Sequence, residues 1–370
     1  MTQPGIVAVG PFPPFVGGAA KNTAIICDEL ENRGTRVTRL PTNKTRGRAE
    51  HSQSLSYYVD RTSGFLGNVA RMIAASRKGR NSTVYLIPDG GPGIAFSAVY
   101  ARIAAARFGR LVVHHRNYSH VREHNDLMAR LVEAAPVDTF HVFLDPIMED
   151  KFRRLYSTHI RSMYVPNAAT CDLEASQDQP DVDSDSPVTI GFLSNLVEDK
   201  GFDVVAEAFP MIAERLGSQA RFLLAGRPVG ELNNARIEAM RQSIGERLDY
   251  RGEVFGEQKR RFFEACDIFV FPSRFGQEGQ PNVLYEAMAA GAAIVSTDWA
   301  GIPWVLSDSV SRTIQPGSEG ARDLVSAVED LIRSGELRTA RRRQIEAFLS
   351  KKADADERYA QFIELLRGDD

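Results

Sequence analysis

The 370-residue sequence predicts an α/β protein made of two tandem doubly wound domains with an interdomain cleft. Three observations lead there. Short continuous apolar runs alternate with helix-length segments along the chain, the pattern of parallel strands covered on both faces. The alternation breaks once, at ATCDLEASQDQPDVDSDSP, where apolar periodicity vanishes and acidic, Ser and Pro residues collect. The composition, 43% hydrophobic and 25% charged, is globular, and the length suits two cores.

Taken in order, the expected domain over residues 1–168 opens with the strand GIVAVG, a helix over about 22–33 and the strand TRVTRL. TVYLIP, a helix over 95–108, RLVVHH and TFHVFLD follow. Between them, RTSGFLGNVARMIAASRKGR places Phe65, Leu66, Val69, Met72 and Ile73 on one helical face beside Arg71, Arg77, Lys78 and Arg80. Such a face suits a helix covering the sheet, and equally a basic helix lying on a membrane surface. After the acidic linker, 169–187, the domain over 188–348 runs PVTIGFLS, helix 202–216, ARFLLAG, helix 233–244, LDYRGEV, helix 258–266, DIFVFPS, a helix carrying Glu286, AAIVST, then helices. The segment 349–370 carries Tyr359, Phe362, Ile363, Leu365 and Leu366 at helical spacing, a packing face expected to return to the N-terminal domain.

Several function classes are set aside. The start, MTQPGIVAVGPFPPF, has no basic region followed by a long apolar run, and Arg102 and Arg107 interrupt the Ala-rich stretch before it reaches the ~18 residues of a membrane span. A cytoplasmic protein, peripheral at most to the inner membrane face, is expected. The three cysteines, Cys27, Cys171 and Cys266, have no metal-ligand spacing. The Asp-x-Asp spacings of DVDSDS lie in the linker and fail as a Ca²⁺ loop, because Ser186 and Phe192 occupy its sixth and twelfth positions. GIVAVGPFPPFVGG lacks the dinucleotide fingerprint GxGxxG. Neither a metal nor a cofactor is expected, nor a nucleic-acid partner. Residues 1–168 hold 22 Lys and Arg against 13 Asp and Glu, leaving 23 against 35 for the rest, so the first half suits an anionic partner.

The stretch FGQEGQPNVLYEAMAAG carries the chemistry. It leaves the carboxyl end of an expected strand and enters a helix near Pro281 or Asn282 that ends at Gly291. The N–H groups of Gln280, Asn282 and Val283 would face an anion there. Glu286 lies one turn into the helix, Glu278 in the loop. Two carboxylates beside an anion-binding helix end suit a ligand bearing both phosphates and hydroxyls.

The run FVFPS...EGQPNVLYEAMAAGAAIVSTDWAGIP resembles the signature of the family-4 retaining glycosyltransferases of the GT-B fold, two Rossmann-like domains, with its glutamate, seven residues and second glutamate. The resemblance implies that Glu278 contacts the transferred sugar, Glu286 the nucleotide ribose, and the backbone of Gly279, Gln280, Pro281, Asn282 and Val283 the diphosphate and sugar. EDKGF is similar to the family's Lys-Gly motif, which gives Lys200 the diphosphate; five residues earlier, Asn195 stands where the family usually has an arginine. Gly17 and Gly18 match a glycine pair that lets backbone approach the donor phosphate or the acceptor. His115, with His114 as second choice, matches a histidine beside the reacting carbon, one of the two being sent to the cleft by strand alternation. The implied function is a metal-independent transfer of a sugar, with retention, from a nucleotide diphosphate donor to a glycan or lipid-linked acceptor in surface polysaccharide or glycolipid synthesis. A nucleotide-sugar hydrolase or epimerase, or a non-catalytic ligand-binding protein, stays open as the alternative.

Overall fold

The computed structural model describes residues 5–14, 17–42, 55–77, 82–175, 186–317 and 319–368. The chain divides into two compact units, Met1–Thr170 with Gln277–Gln280 and Asp354–Asp370, and Cys171–Gly276 with Pro281–Ala353.

The first unit contains β1 (Ile6–Gly10), α1 (Gly18–Asn32), β2 (Val37–Pro41), α2 (Leu55–Ser76), β3 (Thr83–Leu86), α3 (Ile94–Arg107), β4 (Arg110–His114), α4 (Asp126–Ala134), β5 (Phe140–Phe143), α5 (Pro146–Leu155) and β6 (Arg161–Tyr164). Its six strands form a parallel sheet in the order β2-β1-β3-β4-β5-β6. Helices start where the sequence supplies caps. Asn125 Oδ1 accepts from the Leu127 and Met128 N–H groups to open α4, and Asp145 accepts from Met148 N–H ahead of Pro146 to open α5.

The second unit contains β7 (Val188–Leu193), α6 (Phe202–Leu216), β8 (Ala220–Ala225), α7 (Glu231–Ile244), β9 (Leu248–Tyr250), α8 (Gly256–Glu264), β10 (Ile268–Phe271), α9 (Asn282–Ala289), β11 (Ala293–Thr297), α10 (Ile302–Leu306), β12 (Ser311–Ile314) and α11 (Gly320–Arg333). Its parallel sheet runs β12-β11-β10-β7-β8-β9. The last helix, α12 (Leu337–Arg367), begins in the second unit, and from Asp354 its residues belong to the first.

The apolar stripe of α12 lies in the first core. Phe362, Ile363, Leu365 and Leu366 pack with Ile6, Ala8, Ile26, Leu30, Tyr85 and Val112, and Arg110 donates to the Leu365 carbonyl at 2.6 Å. On α2, Phe65 stacks on Phe96 of α3 at 4.5 Å between centroids and Met72 is fully buried, so this face covers the sheet; Leu66 points out. Lys78 and Arg80, and all of DVDSDS except Ser186, fall outside the described residues. Two strands were missed in the sequence, β6 and β12. Both sit at sheet edges and read RSMY and SRTI, because an edge strand is covered less and need not be continuously apolar.

Candidate functional site

In an open α/β sheet, ligands bind outside the carboxyl ends of the strands where strand order reverses. In the second unit that point lies between β7 and β10. The chain leaving β7 turns through Glu198–Lys200 into α6, and Gly201 at the junction has φ +81°. A Cβ there would also collide with the Pro272 carbonyl, so glycine after Lys200 is required twice over. Arg274 N–H donates to the Asp199 carbonyl at 2.9 Å, and the Arg274 guanidinium forks onto Asp203 at 3.1 and 2.8 Å. These bonds tie the lysine turn to the segment leaving β10. The Lys200 ammonium lies 4.4 Å from the Phe275 ring centroid and 5.8 Å from that of Phe271, within cation–π range, and so spans the switch point.

That segment continues to α9, whose N-cap residue, Pro281, makes no side-chain cap bond. The opening N–H groups, Asn282 and Val283 among them, present the positive end of the helix dipole. Glu286, 1% exposed, lies one turn in, and its Oε1 accepts from Lys259 Nζ of α8 at 2.6 Å. A carboxylate buried in the apolar helix NVLYEAMA needs a cation to offset its desolvation. That requirement is the sequence signal by which Lys259, otherwise anonymous among the charges of α8, could have been anticipated.

Residues 277–280 group with the first unit, and they are clamped there. Gln280 Oε1 accepts from Asn167 N–H at 3.0 Å, its Nε2 donates to the Leu144 carbonyl at 2.9 Å, and its own carbonyl accepts from Asn167 Nδ2 at 2.7 Å. The Gln280 side chain is therefore a brace, and it is the backbone of 279–283 that the resemblance sets on the donor. A Cβ on Gly279 would come within 2.6 Å of both the Arg116 carbonyl and Leu144 Cδ1, which is why this position is glycine. Glu278 is 7% exposed and its carbonyl accepts from Tyr118 N–H. The Tyr118 hydroxyl donates to Asp145 at 2.7 Å, and burial pushes the Asp145 carboxyl above its ordinary range.

Both candidate histidines are enclosed. Neither His114 nor His115 opens outward, because both faces of a parallel sheet are covered, and alternation only sends the two rings to opposite buried layers. His115 is fully buried and stacks on Phe143 at 4.9 Å, with His141 Nδ1 3.0 Å from its Nε2. His114 Nδ1 lies 2.8 Å from the Tyr85 hydroxyl. Gly17 caps α1 in an extended conformation and Gly18 begins the helix, while Asn195 is exposed at the end of β7. Among the described residues no group of three or more His, Cys, Asp or Glu side chains could hold a metal ion.

Residues 187–334 match the family described as Glycosyl transferases group 1, a span from β7 to α11 that includes Lys200, Glu278 and Glu286. The fold is GT-B. It is similar to that of sucrose-phosphate synthase from Thermosynechococcus elongatus, with a TM-score of 0.71 at 14% identity over 99% of this chain and 100% of that one. Among curated relatives, the gpi3 subunit of phosphatidylinositol N-acetylglucosaminyltransferase from Schizosaccharomyces pombe is 29% identical over 170 residues, 45% of this chain and 36% of that protein. The phosphatidyl-myo-inositol mannosyltransferase of Mycobacterium leprae is 29% identical over 172 residues, 46% of this chain and 42% of that protein. The matches thus span less than half the length of these relatives.

Proposed function

We propose that this chain is a retaining hexosyltransferase that moves a sugar from a nucleotide diphosphate donor to a glycan or lipid-linked acceptor, with no metal requirement. The observation that carries the reading is Lys200 held across the β7/β10 switch point, with the start of α9 following β10, in the segment that matches the group 1 glycosyl transferases.

In this reading the donor diphosphate lies against Lys200 and the first N–H groups of α9. As the bond from the sugar's anomeric carbon to the diphosphate oxygen breaks, negative charge grows on that oxygen. A fixed ammonium and fixed amide dipoles stabilise it without reorganising, which is the task a metal ion performs elsewhere. The acceptor hydroxyl forms its bond to the same face of the anomeric carbon and gives its proton to the departing diphosphate. Glu286, oriented by Lys259, accepts from the ribose hydroxyls, and Glu278 from the sugar.

The two relatives named above are named for phosphatidylinositol substrates, which favours a lipid-linked acceptor in glycolipid synthesis, met at an anionic membrane surface. No helix among the described residues is long and apolar enough to cross a membrane.

A thermal-shift screen of UDP- and GDP-sugars tests the donor class, since a bound donor raises the melting temperature by mass action. With the donor in hand, Glu278→Gln should lower turnover and leave nucleoside diphosphate affinity near wild type. Glu286→Gln should weaken that affinity by roughly tenfold, the order of one hydrogen bond to a charged group. Equal effects of both changes on affinity would remove this division of roles. Release of free sugar at the same rate with and without acceptor would turn the enzyme into a hydrolase.

A further inference from the structure

A diphosphate brings more charge than one lysine balances, and Asn195, exposed at the end of β7, supplies none. The register of the sheet shows what stands opposite it. β7 pairs with β8 from Val188↔Ala220 to Leu193↔Ala225, and an isolated bridge beyond the strands joins Leu196 to Pro228 at the same offset. No residue is inserted between these pairs, so Asn195 and Arg227 take matching positions between the end of the ladder and the bridge. Ser194 N–H donates to the Ala225 carbonyl at 3.3 Å, Leu196 N–H to the Arg227 carbonyl at 2.9 Å, and Val229 N–H to the Leu196 carbonyl at 3.4 Å. Neighbouring strands lie ~4.8 Å apart, so a side chain rooted at Arg227 starts one strand spacing from one rooted at Asn195.

The nearby arginines differ in how they are occupied. Arg236 pairs with Glu198 at 2.9 Å, Arg251 with Asp249 at 2.8 Å, and Arg274 with Asp203 at 2.8 Å. Arg227 is exposed and makes no ion pair with any described residue. Its guanidinium is unspent at the carboxyl edge where β7 and β8 meet, one loop away from Lys200.

We propose that Arg227 is the second cation for the donor diphosphate, working with Lys200 from the next strand end over, in place of a charge at position 195. This rests on the donor reading above, and the experiment separates the two. Calorimetric titrations of the full chain use UDP, GDP, uridine and guanosine. Wild type binds at least one of the diphosphates. Arg227→Ala weakens that diphosphate by about tenfold or more and leaves the matching nucleoside unchanged, with an unaltered melting temperature because the side chain is exposed. Asn195→Arg placed in the Arg227→Ala background restores diphosphate affinity, since the new guanidinium starts one strand spacing away. Wild-type diphosphate affinity in Arg227→Ala overturns the proposal, as does an equal loss of nucleoside affinity, which would assign Arg227 to the base. Failure of Asn195→Arg to restore binding overturns it too. A wild type that binds neither diphosphate sinks the donor reading itself.

Discussion

All seven histidines lie in the first unit and both tryptophans in the second. The division reflects two ways of using charge. The second unit keeps permanent charges where strand ends and helix starts meet, with Lys200 over aromatic rings and Glu286 held by Lys259. The first unit buries four imidazoles, His114, His115, His120 and His141, that are neutral near pH 7. Burial, with neighbouring His141, His120 and His114, holds His115 well below its ordinary value; burial with Arg116 does the same to His114. Burial lowers His120 and His141 to about 4 each. A charge meant for a ligand has to stay charged, whereas a ring meant for packing has to stay neutral.

The largest expected effect separates the units by acid. A histidine whose folded pKa is depressed stabilises fully above its unfolded value near 6.5, and loses that contribution as pH falls toward the folded value near 4. Four buried histidines push the same way, a loss on the order of several kcal/mol at one pKa unit per 1.36 kcal/mol. Asp89 and Asp145, raised by burial, act in the opposite direction, but they are two against four. Far-UV circular dichroism should therefore show partial unfolding between about pH 6 and 4, while emission from Trp299 and Trp304 holds. Emission that changes together with the dichroism would break the comparison and make the two units one cooperative body.

Next in size is Lys200→Ala. Removing a charge-stabilising donor costs about 10²–10³ in turnover. The acid profile should be unchanged, because the lysine lies in the unit without histidines. Normal turnover in single-turnover assays would strike Lys200 from the site.

The smallest effect expected is for Gly279→Ala. The added methyl meets the Arg116 carbonyl and Leu144, and overpacking of this kind costs roughly 1–3 kcal/mol. The loss should fall on the first unit, seen as an earlier dichroism transition with unshifted tryptophan emission. An unshifted dichroism midpoint would mean that the 277–280 segment is not clamped as described.

Much of the fold was legible because it is written in local periodicity. The helix of Phe202–Leu216 and the end of α9 before Gly291 follow from spacing and capping alone. The candidate site was legible only in part. The Lys200-Gly201 turn and the α9 start are contiguous in sequence and carry their own backbone signals. The Lys259–Glu286 pair, the Gln280 brace on Asn167 and the enclosure of His115 join residues 26 or more positions apart. No local pattern encodes which distant group completes them. The Gln280 side chain illustrates this: its partners, Asn167 and Leu144, lie 113 and 136 positions away, and nothing local marks it as a brace.

The path of α12 has a consequence for biosynthesis. The core of the first unit includes Phe362, Ile363, Leu365 and Leu366, which are translated after the entire second unit. At about 5–20 residues per second, roughly 10–40 s pass between the emergence of β6 and of this apolar stripe. Throughout that interval Ile26, Leu30 and Tyr85 lack their covering side chains. The unit that is made first is thus finished last, and a nascent chain stalled before residue 362 would present an open apolar face for chaperones to shield.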